Sequence, residues 1–269
     1  MRRLTVGLLL LSGLGSPIPD LAAQWTVKPG GWFMSHGFNV GSFPDRFSGV
    51  PGATRNELDK LDWGMYFVYG LTEGLSVGLG QGFAHLEQTV GDETFESTGF
   101  GATGFFVMKR IAQGKAGVLS IQPRIDLPLL FDTDKRPALG PVEPDAEVRL
   151  LYGNGFGLAG TRGFLSASAG LSTIRAGNDE LRYDLTVGVD AGSRVLLMGQ
   201  AFNVAAFAEG GGIAYSATKV GGSAMLRLSP SVGVLAGYYA GVAGKNTVRE
   251  RTFSLAIWLT HDPGDTPVR

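Results

Sequence analysis

The chain has 269 residues, 23 Lys and Arg against 24 Asp and Glu, and no cysteine. A formal net charge of -1 leaves no bulk electrostatic case for nucleic-acid binding, and the fold needs no disulfides. Charged residues make up 17%, below the roughly 25% of soluble domains, and glycine reaches 42 residues, a content that suits a curved, closely packed barrel better than a flat sheet.

Residues 1–23 read as a secretory signal peptide, with 24–269 as one β domain. Arg2 and Arg3 form the basic end, Leu4 to Leu14 the apolar core, and Leu21–Ala23 a small-residue cleavage site. The apolar run is too short to span a bilayer as a helix, which needs about 20 residues. About twelve strands follow, near 25–38, 59–70, 74–86, 94–109, 116–129, 145–153, 162–174, 180–191, 194–208, 213–228, 231–243 and 248–260. Many reach the roughly nine to eleven residues that a tilted strand needs to cross a membrane.

Strand faces alternate cleanly. In the eighth strand Leu181, Tyr183, Leu185, Val187 and Val189 share one parity, and Arg182, Asp184, Thr186, Gly188 and Asp190 the other. The fifth sets Leu119, Ile121, Ile125, Leu127 and Leu129 against Ser120, Gln122, Arg124 and Asp126. The tenth opposes Val220, Ala224, Leu226 and Leu228 to Lys219, Ser223 and Arg227, and the twelfth turns Phe253, Leu255, Ile257 and Leu259 to one side.

Connections two, eight and ten are tight ("LTEG", "AGSR", "LSPS") and four is short. One, three and five are long and polar: "NVGSFPDRFSGVPGATRNE", "LEQTVGDETFES" and "FDTDKRPALGPVEPDA". Short turns at one end and longer loops at the other mark an outer-membrane barrel, whereas a sandwich has no reason to keep that parity. The expected fold is all-β, a transmembrane antiparallel up-and-down β-barrel of about 12 strands in the bacterial outer membrane, its oily face against lipid.

"YGLTEGLSVGLG" (69–80) resembles the strand–turn–strand of the outer-membrane family labelled MetA-pathway of phenol degradation, and "NDELRYDLTVGVDAGSRVLLMGQAFN" (178–203) resembles a segment of related proteobacterial barrels. The family is similar to long-chain fatty acid transporters, and the resemblance implies uptake of aromatic or other apolar compounds. No distinct N-terminal plug domain is visible, so a hatch-type mechanism does not carry over.

Arg124, Asp126, Glu147, Arg149, Arg182, Asp184, Lys219 and Arg227, with Asp190, share the expected lumen. They form either a polar constriction that selects solutes or a salt-bridge network that fills the barrel, and the two overlap because the filling sets the bore. Ser35 and His36 are adjacent on a strand and point to opposite faces, so they cannot pair as nucleophile and base. His85 lies near Glu87 at the rim, His261 lies in the tail, and no metal-site spacing is present. "GFGATG" (99–104) matches a phosphate-loop pattern, but strand rather than helix follows it. Trp25, Trp32, Tyr66, Tyr69, Phe83, Tyr238, Tyr239 and Trp258 suggest interface girdles.

These features predict passive passage of small, apolar or aromatic solutes through a polar, charge-lined lumen, with no cofactor and no enzymatic activity. Expected partners are outer-membrane lipid, a small-molecule solute and the outer-membrane assembly machinery. The alternatives are a structural or adhesive barrel working through its loops and, more weakly, a hydrolase using His85.

Overall fold

The structure is a computed structural model and describes residues 26–47, 56–130, 133–158, 160–174, 179–207 and 214–263. The expected signal peptide, Trp25 and the residues after 263 lie outside the described residues.

Thirteen strands follow one another: β1 (Trp32–Arg46), β2 (Asn56–Thr72), β3 (Leu75–Val90), β4 (Glu93–Phe100), β5 (Thr103–Gly114), β6 (Gly117–Leu127), β7 (Asp145–Leu158), β8 (Thr161–Ile174), β9 (Glu180–Ala191), β10 (Val195–Ala206), β11 (Tyr215–Ser229), β12 (Val232–Lys245) and β13 (Val248–His261). All pairings are antiparallel between neighbours, and β1 closes the ring on β13 from Trp32↔His261 to Arg46↔Val248. Strands β4 and β5 both pair with β3, so they are the halves of one stave, interrupted at residues 101–102. The result is a closed twelve-stave barrel.

Alternation decides which face each side chain takes. Leu185, Val187, Ile125, Leu226, Leu255 and Ile257 stand on the outer wall and are exposed, whereas Thr186, Ser120, Lys219, Ser223 and Ser254 are buried inside. An apolar outer surface on this scale is costly in water and costs nothing in lipid. In the bilayer core each backbone polar group must be paired within the protein, which a closed ring achieves.

At one end, among the described residues, the turns occupy 73–74, 115–116, 192–194 and 230–231. Gly192 takes a φ of 80° in the third of these, a left-handed position that glycine accepts without steric penalty. The other end carries 47–55, 128–144 and 207–214, but also the tight turns 91–92 and 246–247.

Two expected boundaries are corrected. The first strand lies at 32–46 rather than 25–38. Its Gly, Ser and Pro residues suggest a loop, but they pair with both neighbours, and a register shift between Ser42 and Asp45 accommodates Pro44. "LEQTVGDETFES" is not a long loop either. Its residues continue β3 and β4 as a hairpin around Gly91 and Asp92, from Val90↔Glu93 down to Phe83↔Phe100. Beyond the lipid belt a strand can be polar on both faces, so apolar periodicity gives no signal there.

The outer edge of β4 has no strand partner, because β6 pairs with β5 on one side and β7 on the other and does not reach β4. The 128–144 connection covers it: Lys135 Nζ donates to the Thr98 carbonyl at 2.6 Å.

If the belt is in hydrocarbon, Leu185→Arg costs about 2–4 kcal/mol, whereas Leu228→Arg at the short-turn end costs about 0–1 kcal/mol. Urea titration of folding into vesicles checks this, and equal costs would contradict the belt.

Candidate functional site: the barrel interior

The inward faces sort into layers along the barrel axis. At the short-turn end eleven apolar side chains form one buried cluster: Phe33, Tyr66, Val68, Phe106, Phe164, Leu196, Met198, Met225, Leu235, Ala256 and Trp258. They come from β1, β2, β5, β8 and β10 to β13, so the layer draws on most of the wall. Tyr66 stacks on Phe106 with centroids 4.9 Å apart. From outside the sheet, Val27 packs against the layer, and its backbone amide donates to Ser76 Oγ at 3.0 Å. Tyr66, Tyr239 and Trp258 are therefore interior residues rather than girdle residues, while Tyr69, Phe83 and Tyr238 face outward.

Neutral hydrogen-bonding groups lie toward the loop end. Gln200 Oε1 accepts from Tyr239 Oη at 2.7 Å and from Ser223 Oγ at 3.1 Å.

The charged layer follows, in two main groups. On β6 to β9, Arg124 binds Asp126 with two parallel bonds of 2.6 and 2.8 Å. Arg149 bridges Glu147 at 2.6 Å and Asp184 at 2.9 Å, and Ser168 donates to Asp184 at 3.2 Å. Arg182 holds Glu180 at 2.6 Å and reaches Glu147 at 3.5 Å. The Ser172 hydroxyl donates its one proton to the Asp145 carboxylate, lying 2.8 and 2.9 Å from its two oxygens. Three guanidiniums thus face five carboxyl groups, Asp126, Asp145, Glu147, Glu180 and Asp184, a formal excess of two negative charges.

The second group lies across β11, β13, β1 and β2. Lys219 pairs with Glu250 at 3.0 Å, and Thr252 donates to the same Glu250 oxygen at 2.6 Å. The Lys219 ammonium lies 5.6 and 5.8 Å from the Phe202 and Tyr239 ring centroids. Asp62 accepts from Asn39 at 2.8 Å and pairs with Lys60 at 3.0 Å.

Of the nine charges expected in the lumen, six fall in the β6–β9 network. Lys219 belongs to the second group. Arg227 lies at the short-turn end, paired with Asp190 at 2.6 Å, and Asp190 also meets the exposed Arg162 at 3.3 Å. Glu180, Asp145, Glu250, Asp62 and Lys60 were not singled out by sequence, although each shares strand parity with an inward residue.

Small neighbours admit the guanidiniums. A Cβ at Gly104 would stand 2.5 Å from Asp126 Oδ1 and 2.6 Å from Arg124 Cζ, so any larger residue there makes that pair shift. Gly104 closes the "GFGATG" motif, which runs along the interrupted stave and opens no helix.

Ser35 is buried inside, while His36 is stacked on Trp63 at 5.7 Å and contacts Met34 Sδ at 3.0 Å. His85 bonds Thr98 Oγ1 at 2.7 Å, and His261 stacks on Trp32 at 6.0 Å. Among the described residues no group of His, Asp and Glu could hold a metal ion.

A closed antiparallel barrel with an oily outer wall and a polar, ion-paired interior is a bacterial outer-membrane β-barrel. The fold is similar to an outer membrane channel from Pseudomonas putida F1, with a TM-score of 0.73 at 12% identity, over 89% of this chain and 98% of that one. It is also similar to the NanC porin, with a TM-score of 0.52 at 8% identity over 84% and 98% of the two chains. The transport unit of the autotransporter AIDA-I from Escherichia coli gives a TM-score of 0.53 at 11% identity, over 93% and 96%. No family model and no curated protein matches the chain.

Glu147 is nearly buried and touches two guanidiniums. Glu147→Ala takes one carboxylate from each of Arg149 and Arg182, which keep Asp184 and Glu180, and lowers unfolding stability by about 1–3 kcal/mol. Arg162, with 86% of its side chain exposed, tolerates alanine at a cost of about 0–1 kcal/mol. Paired urea titrations of the two variants measure the contrast.

Proposed function

We infer that the barrel is a passive channel for small solutes that favours neutral apolar or aromatic molecules over ions. The carrying observation is the layering of the interior. An apolar layer disfavours hydrated ions, because it offers nothing in place of their water, whereas a neutral solute loses little there. The charged layer orders and narrows the polar half, with Arg124, Asp126, Glu147, Arg149, Arg182, Asp184 and Lys219 as the constriction residues and Arg227 at the far mouth. The likeness in fold to a channel and a porin accords with a non-catalytic role, as does the family resemblance of the strand–turn–strand motif. The membrane supplies the lipid partner, and no cofactor enters the reading.

The amount of apolar side chain inside the ring favours a second reading, a sealed barrel whose loops are its working surface. The two part in one assay: influx into proteoliposomes holding the refolded mature chain, with folding checked by heat-shifted gel mobility. On the channel reading a neutral aromatic enters faster than an aromatic acid of similar size, because the network carries excess carboxylate. Arg124→Gln with Arg149→Gln raises that excess from two to four and slows the acid further, with little effect on the neutral compound. Background influx of every solute into vesicles with folded barrel would select the sealed reading. Unchanged acid influx in the double variant would reject the constriction.

A further inference from the structure

The 128–144 connection does more than cover an edge. It leaves the ring at β6 and returns at β7, yet its Leu139 is buried among Phe43 of β1, Leu58 of β2 and Leu86 of β3, with Ala84 and Val248 alongside. Those are inward residues of staves on the other side of β4 and β5, so the connection reaches over the loop-end mouth. Leu139 is 6% exposed. Glycines admit it: a Cβ at Gly101 would stand 3.0 Å from the Leu139 carbonyl, and one at Gly99 3.1 Å from Leu139 Cδ1.

The patch that receives Leu139 is anomalous for its place. Leu86 stands in register with Lys60 of the charged layer, and Leu58, paired with Phe43, lies two residues nearer the loop end, where an inward apolar cluster is expensive unless something apolar covers it. Leu139 is the segment's apolar contact with this patch, and Lys135 reaches the Thr98 carbonyl beside it. Burying one leucine is worth about 1.5–3 kcal/mol, which an apolar solute of similar size can match.

We propose that the Phe43–Leu58–Leu86 patch is the mouth's acceptor site for the apolar part of an incoming solute, and that Leu139 occupies it in the closed state and is displaced by the solute. The ligand class is a small neutral molecule with an aliphatic or aromatic group about the size of a leucine side chain. This deepens the channel reading and rests on it.

The natural lack of cysteine makes the test direct. Leu58→Cys with Leu139→Cys is joined by a short, reducible bis-thiosulfonate cross-linker in proteoliposomes, and influx of a neutral aromatic and of a small sugar is followed before linkage, after it, and after reduction. Linkage is expected to drop aromatic influx to background, and reduction to restore it. Leu139→Ser alone, on a connection rather than a strand, is expected to raise aromatic influx several-fold and sugar influx much less. Adding Leu58→Ser to Leu139→Ser is expected to cancel that preference. Unchanged aromatic influx at complete linkage would overturn the proposal while leaving the channel intact. An equal gain for sugar and aromatic in Leu139→Ser would also overturn it, since that reports a lid without an acceptor site. Background influx in the wild type and every variant would overturn the channel reading and this one together.

Discussion

The constraint on which the rest depends is that a backbone in hydrocarbon must satisfy its own hydrogen bonds. Each N–H or C=O left unpaired there costs several kcal/mol, so no stave inside the lipid belt can have a free edge. The pairing of β1 with β13 is therefore the contact that makes all the others tenable, and it runs the full length of both strands. The exception supports the rule: β4 lacks a second strand partner only in the half of its stave toward the loop end, and a connection covers it there.

Closure in turn creates the interior problem. The outward residues are fixed as apolar by lipid, so polar side chains must go inside, where charges persist only if paired. The arrangement is correspondingly dense. Glu147 serves two arginines, Arg149 serves two carboxylates, and Arg124 has a two-point grip on Asp126 two residues along its own strand. Such i, i+2 pairs share a face by the geometry of the strand, and Lys60–Asp62 and Arg182–Glu180 repeat the device. Bulk is then distributed by deletion: Gly104 stands where the Arg124–Asp126 pair needs space.

The ring was legible in the sequence because lipid forces a period of two on the outer wall, and Leu181 to Val189 display it without interruption. Six of the nine singled-out charges belong to one network for the same reason, since parity alone places them inside. What parity cannot give is depth. Arg227 and Lys219 share a face of β11, yet one is at the short-turn mouth and the other in the charged layer. The hairpin of 86–97 was hidden because, past the lipid, alternation stops being enforced. The aromatic residues misled for a related reason: Tyr66, Tyr239 and Trp258 look like girdle residues by type, but their parity places them in the interior. Leu139 had no signal at all. It sits in a Pro-rich connection, and only a tertiary contact with Phe43, Leu58 and Leu86 gives it meaning.

Stacking the layers in series has a consequence that neither has alone. A charged layer by itself conducts ions, because paired guanidiniums and carboxylates can trade partners with a passing ion. An apolar layer by itself admits oily molecules but offers them no route through the water on either side. Placed one after the other, they ask a solute to tolerate both environments, and the molecules that do so cheaply are small, uncharged and part apolar. The order matters as well. The large apolar layer lies at the short-turn end, so the polar part of a solute coming from the loop end meets the charged network before it loses its water. On the channel reading, charge is thus sorted while the solute's polar groups are still hydrated, at a point where rejection costs only a return to the mouth.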